Sequence, residues 1–248
     1  MPGSPAPAAE RTDGGGVTPL ERAAATAAAA GLAVRGAFHP ASDDAVPALP
    51  GGGQAGTLML VGVVGRRQWP TFAASPEAAD GRADPLDRWS RRVIGELAAG
   101  LGASPLYPFE GPPWLPFQRW AMKAEPVHRS VLGVLIHPQW GLWHSYRGAL
   151  AFTERWALPA CVEGPSPCDR CLGKPCLTAC PVDAFSAERY DVDACAGHLR
   201  GAAGGDCLDR GCRARRACPV GAAYGFGAEQ AAFHMRAFVA SREAGSDV

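Results

Sequence analysis

All nine cysteines of this 248-residue chain lie between Cys161 and Cys218, and the first 160 residues contain none. An odd number of thiols confined to one stretch is a poor disulfide framework and a good metal-binding one. In "CDRCLGKPCLTACPV" four of them occupy thirteen positions, from Cys168 to Cys180. Thiolate sulfur is a soft ligand that suits zinc and iron–sulfur clusters. The opening "MPGSPAPAAERTDGGG" lacks the apolar run of a secretory signal, and no stretch approaches a membrane-spanning length. The chain is therefore expected in the cytoplasm, where thiols stay reduced.

The first cysteine set is Cys168-x2-Cys171-x4-Cys176-x3-Cys180-Pro181, and the second is Cys195, Cys207, Cys212 and Cys218-Pro219. Bacterial ferredoxins carry C-x2-C-x2-C-x3-C-P, with the fourth cysteine crossing to the other cluster. This chain resembles that run except between Cys171 and Cys176, where "LGKP" replaces two residues. A proline after the last cysteine stops a helix from running through the crossing point. The Cys-Pro-Val of "ACPVDAF" returns in "ACPVGAAYGF", which resembles the internal duplication of a two-cluster ferredoxin. The resemblance implies one [4Fe–4S] cluster on Cys168, Cys171, Cys176 and Cys218, and another on Cys180, Cys195, Cys207 and Cys212. Cys161 is left over as a buried bystander. Two zinc sites of four thiolates each would use the same eight residues, although the Cys-Pro turns favour clusters. The looser spacing of Cys207, Cys212 and Cys218 leaves a single cluster open. Arg210, Arg213, Arg215 and Arg216 lie among these cysteines. They read as counter-charges to a cluster, as a dock for an acidic redox partner protein, or as a plain solvated face.

The remaining chain is patterned differently. Residues 1–16 are rich in Pro, Ala and Gly and read as a disordered N-terminus. Thr18, Pro19 and Glu21 form a helix-start signature. "LAVRGAF" reads as a strand, and the continuous apolar run "GTLMLVGVVG" as a strand buried on both faces. Leu86, Trp89, Val93, Ile94 and Leu97 recur at helical spacing within residues 85–103. "PLYPF" reads as a short strand and "LPFQRWAMKA" as a short helix. Residues 130–138 read as a further buried strand, pairing with 142–152. Helices alternating with apolar strands predict an α/β domain over 17–158. A small ferredoxin-like domain is expected over 159–226. A C-terminal helix and tail follow over 227–248, with Ala231, Met235, Phe238 and Val239 on one face. Formal net charge is zero, so bulk electrostatics gives no reason to expect nucleic acid or an anionic membrane as partner. Neither G-x-G-x-x-G nor a Gly-x4-Gly-Lys loop is present.

"GVLIHPQWGLWHSYRGALAF" resembles the G-V-x-I-H-P-x-x-G-x-W-x-x-x-R-G segment of the animal cobalamin-processing chaperones, which decyanate and dealkylate vitamin B12. "LMLVGVVGRRQWPTF" and "DPLDRWSRRVIGEL" resemble an earlier strand–loop–helix segment of the same family. Followed by the cysteine run, the arrangement also resembles epoxyqueuosine reductases and reductive dehalogenases. Those join a nitroreductase-like α+β corrinoid-binding domain to two [4Fe–4S] clusters. The resemblance implies that His137, Trp143 and Arg147, with Gln118, lie at a cobalamin-binding pocket. It places Glu110 loosely at the position of the reductases' acidic proton donor, so the queuosine substrate is not carried over. Taken alone, a His ending a strand is more often a satisfied structural group, and a buried Arg147 must find an anion or acceptors.

The leading expectation is an iron–sulfur oxidoreductase, relaying electrons from two clusters to a corrinoid or flavin-like cofactor in the N-terminal domain. The alternatives are a ferredoxin-type electron carrier whose N-terminal domain docks a partner, and a cobalamin-processing chaperone with a built-in reductant.

Overall fold

The computed structural model describes residues 17–161, 164–186 and 189–244. The expected disordered stretch 1–16 and the end of the tail, 245–248, lie outside them. Helix α1 (Pro19–Ala29) begins at a capping box: the Thr18 hydroxyl accepts from the Glu21 N–H, and the Glu21 carboxylate accepts from the Thr18 N–H. The chain continues into β1 (Ala33–Phe38), β2 (Thr57–Val64), α2 (Trp69–Ala73), α3 (Pro76–Ala79) and α4 (Pro85–Leu101). There follow β3 (Ser104–Leu106), α5 (Phe117–Ala124), β4 (His128–Arg129), β5 (Leu135–Ile136) and β6 (His144–Phe152).

Four strands form one antiparallel sheet in the order β1-β2-β6-β3. All eight residues of β2 are buried, as its unbroken apolar run predicts for a central strand. Successive side chains of a strand point to opposite faces. Met59, Val61, Val63, Leu150 and Phe152 accordingly pack against α1 and α4. Leu58, Leu60, Ala149 and Ala151 pack on the other face against Phe117, Trp120, Ala121 and Ala124 of α5. The predicted stripe of α4 is wholly buried: Leu86, Trp89, Val93, Ile94 and Leu97. Helices on both faces of an antiparallel sheet make the fold mixed α+β.

Two expectations for the middle of the chain are corrected. Residues 130–138 do not form a long strand. Gly133 adopts φ +78°, and the Ser130 N–H donates to the Val134 carbonyl across a tight turn. Leu135 and Ile136 pair with Arg129 and His128, and His137 makes an isolated bridge to Gly141. Strand β6 pairs instead with β2 and β3, at the centre of the main sheet. Alternation of apolar residues could not distinguish these pairings, because both candidate partners are apolar.

The cysteine-bearing stretch forms short helices: α6 (Pro167–Arg170), α7 (Pro175–Thr178), α8 (Val192–Arg200), α9 (Gly205–Arg210) and α10 (Arg213–Arg216), followed by α11 (Ala228–Ala244). Among its described residues the strand pairing is one isolated bridge, Phe185 to Tyr190. The expected ferredoxin-like domain is therefore corrected: no separate module of that kind is indicated, and the segment packs onto the sheet region. Leu132, Ile136 and Leu142 share a buried cluster with Cys176, Ala214 and Cys218. The expected face of α11 is only partly inward: Ala231 is buried, while Met235, Phe238 and Val239 are half-buried. Gln230 is buried too and donates to the Gly65 carbonyl at 3.3 Å. Among the described residues no helix is long and apolar enough to cross a membrane.

Candidate functional site: a cleft beneath the C-terminal segment

Strand β6 carries a bulge. Val61 of β2 faces Gly148 and Gly62 faces Tyr146, so Arg147 is the extra residue between them. A bulge interrupts the in–out alternation and re-aims side chains. His144, Ser145, Tyr146 and Arg147 all line one cleft. His144 and Tyr146 share a face by strand alternation, and Arg147, the bulged residue, reaches Ser90 and Asp87 of α4. Phe117 and Gln118 at the start of α5 form another wall, with Val134 and Leu135. Arg215, Phe226 and His234 of the C-terminal segment complete it, and the cleft measures about 440 Å³. The segment is held there by specific bonds. Arg66 Nε donates to the Gly225 carbonyl at 3.1 Å, and Gln139 Nε2 donates to the Tyr224 hydroxyl at 3.2 Å.

Beneath the cleft floor lies a buried polar network. Arg35 donates from Nη2 to Glu125 Oε1 at 2.8 Å and from Nη1 to the Val63 carbonyl at 3.0 Å. Its Nη2 also lies 3.1 Å from His144 Nδ1, and His144 Nε2 lies 3.1 Å from the Leu135 carbonyl. A carbonyl only accepts, so Nε2 carries the His144 proton and Nδ1 accepts from Arg35. The Tyr146 hydroxyl donates to Glu125. Burial pushes the Tyr146 hydroxyl pKa upward, with the Glu125 charge adding to it. Burial also holds His144 down at about 3, with Arg35 next in effect. At neutral pH the phenol and the imidazole are both uncharged groups on the cleft wall.

The two cleft arginines differ. Arg147 donates from Nε to Ser90 Oγ at 2.9 Å and pairs with Asp87, both on α4. Arg215 donates from Nε and Nη2 to the Leu142 carbonyl, at 3.2 and 2.5 Å. Its guanidinium stands 4.7 Å from the Trp143 ring centroid and 4.5 Å from that of Phe226. Burial lowers the Arg215 pKa to about 10, which leaves it cationic at neutral pH. Burial lowers His234 to about 4, with Arg215 and Arg147 adding to the effect.

Of the four pocket residues named from sequence, Gln118 and Arg147 line this cleft. His137 stands behind the wall: its Nδ1 accepts from the Gln139 and Trp140 backbone N–H groups, at 3.1 and 3.3 Å, and its ring stacks on Trp140. Trp143 is buried against Phe226, and its indole N–H has no hydrogen-bond partner among the described residues. Glu110 lies outside the cleft lining, in an exposed ion pair with Arg91. His144, Tyr146, Phe226 and His234 were not anticipated. The first two lie within the quoted "IHP…RG" segment and, two residues apart on one strand, share a face by alternation, a signal that could have found them. Phe226 and His234 carry no local signal.

The cysteines gather in two places. Cys168, Cys171, Cys176 and Cys218 line one small cavity, and Cys180, Cys195, Cys207 and Cys212 line a second. The two Cys-Pro-Val repeats share a backbone form: Asp183 and Gly221, each three residues after its cysteine, adopt φ +48° and +69°. The Ala184 N–H lies 3.3 Å from Cys180 Sγ. Burial raises the thiol pKa of Cys176, Cys195, Cys212 and Cys218. Among the described residues, however, no group of three or more His, Cys, Asp or Glu side chains is placed to hold a metal ion. The expectation of two [4Fe–4S] clusters is corrected on that finding. The readings as an iron–sulfur oxidoreductase, an electron relay and a ferredoxin-type carrier fall with it, as does the redox partner protein. Cys161, expected buried, is exposed, because the chain after β6 runs along the surface. Arg210, Arg213 and Arg216 share Asp206 as their ion-pair partner.

No family model and no curated protein matches this chain. Among solved structures, it is similar to the B12-trafficking protein CblC of C. elegans, a homologue of human MMACHC. The two are 12% identical, the match covers 89% of this chain and 94% of that one, and the TM-score is 0.49.

Proposed function

We propose that this chain is a corrinoid-binding carrier of the cobalamin-chaperone type, taking its cargo into the cleft beneath the C-terminal segment. One observation carries the reading. The stretch whose residues resemble the cobalamin-processing chaperones, "HPQWGLWHSYRG", is the one whose bulged strand supplies His144 to Arg147 to the cleft wall. An open cleft of about 440 Å³ seats part of a macrocycle and leaves the rest in solvent. Its wall mixes apolar surface (Phe117, Val134, Leu135, Leu142, Phe226) with donors at Gln118 and Arg147. That combination suits a ring system edged with amide carbonyls, since binding sites combine apolar walls with a few placed polar groups. In this reading the protein binds, orients and shields the cargo, and redox chemistry at cobalt belongs to the corrinoid.

Absorbance titration of the full chain with hydroxocobalamin tests the reading. Binding is expected to shift the corrinoid bands, and Arg147→Ala should weaken it by roughly tenfold, the loss of one charge-assisted hydrogen bond. A spectrum that stays unchanged at saturating protein would end the corrinoid reading.

A further inference from the structure

Arg215 holds a charge that the cleft does not answer. Its neighbours Arg210, Arg213 and Arg216 all pair with Asp206, and Arg147 across the cleft pairs with Asp87. Among the described residues no carboxylate stands within ion-pair distance of Arg215, and the cleft lining contains neither Asp nor Glu. Its guanidinium packs against the neighbouring rings of Trp143 and Phe226, and the Leu142 carbonyl takes two of its N–H groups. A guanidinium has five such donors in a rigid fork, so three remain for something else. A fork held in place, part-buried and facing a cleft is pre-organised for a planar or tetrahedral oxyanion.

We propose that Arg215 is the anion-holding residue of the cleft, receiving a phosphate, phosphodiester or carboxylate group of the molecule bound there. This deepens the corrinoid reading and rests on it for the identity of the cargo: a cobalamin carries a phosphodiester in its nucleotide arm, and a cobinamide does not. Arg147 has its partner on α4, so the anion's place is at the C-terminal wall. The short helix bearing Arg215 runs between Cys212, in the wall of one cysteine cavity, and Cys218, in the wall of the other. The cleft and the cysteine-rich segment thus meet at this side chain.

The test compares hydroxocobalamin with aquocobinamide on the full chain and on the Arg215→Gln and Arg215→Lys variants, with near-UV circular dichroism reporting the fold. The unaltered chain should hold cobalamin at least about tenfold more tightly than cobinamide, the worth of a charge-assisted pair. Arg215→Gln should bring that ratio close to one, and Arg215→Lys, which keeps the charge but loses the fork, should keep only part of it. Equal affinity of the unaltered chain for both corrinoids, or a ratio unmoved by Arg215→Gln, overturns the role of Arg215 and leaves the corrinoid reading standing. If neither corrinoid binds, that reading fails and inorganic pyrophosphate decides alone. Tryptophan quenching by pyrophosphate in the unaltered chain but not in Arg215→Gln upholds the anion site, and no quenching overturns it.

Discussion

Gly141 and Gly221 stand back to back where the C-terminal segment meets the sheet region. Both adopt positive φ, +57° and +69°. A Cβ on Gly141 would strike the Val220 carbonyl, and one on Gly221 would strike the Trp140 peptide. The joint therefore needs glycine for two reasons, the left-handed backbone and the close approach. Gly141→Ala is expected to lower stability by at least about 2 kcal/mol, combining left-handed strain with displacement of a backbone neighbour. It should weaken cobalamin binding as well, because Arg215 and Phe226 ride on the displaced segment. Urea unfolding followed by tryptophan fluorescence measures the first effect. A midpoint equal to that of the unaltered chain would mean that the two surfaces can part without cost.

The Arg35–Glu125 pair is almost fully withdrawn from water, with side-chain exposures of 0% and 8%. Removing one partner strands a buried charge and typically costs about 3–5 kcal/mol, whereas replacing both by apolar groups is often much cheaper. Arg35→Met and Glu125→Leu should therefore each destabilise the fold strongly. The double variant Arg35→Met with Glu125→Leu should lose less than either single change. Chemical denaturation of the three variants checks this. Additive losses would show that the two side chains act independently.

Three histidines make stability depend on acidity. Burial holds His137 near 4, His144 near 3 and His234 near 4, against an ordinary 6.5. Each ring binds its proton more weakly folded than unfolded. As pH falls below about 6.5, the unfolded chain takes up protons first, and stability declines from there toward pH 4. The slope reaches about 1.4 kcal/mol per pH unit for each group involved. Thermal melts between pH 7 and 4.5 should show a falling midpoint, and His144→Gln should make the fall shallower. A midpoint constant across that window would contradict the buried neutral state of these rings.

The corrinoid titration of the Arg147→Ala variant belongs with these measurements. Loss of affinity with an unchanged melting midpoint would place Arg147 in the binding surface. Loss of both would assign it mainly to holding β6 against α4 through Ser90 and Asp87.

Much of the scaffold was legible in the residues themselves. The Thr18–Glu21 cap, the buried stripe of α4 and the all-apolar β2 are local patterns, and each is set by neighbours a few positions away. The repeated Cys-Pro-Val turns were legible in the same way. Pairing partners were not: the place of β6 between β2 and β3, and the turn at Gly133 that replaces a strand, depend on which apolar surfaces meet. The cleft is further still from local pattern. Its walls come from residues 108–147 and 215–234, joined at Gly141 and Gly221, and a single bulge in β6 adds Arg147 as an extra residue beside Tyr146. A spacing rule states which side chains share an element, but contact between distant elements is decided by packing. So the chain by itself determined its longer helices, its core strand and the crowding of its thiols. Only the tertiary structure decided that Arg215 faces a cleft without a counter-charge, because a charge's partners are found across the fold rather than along the chain.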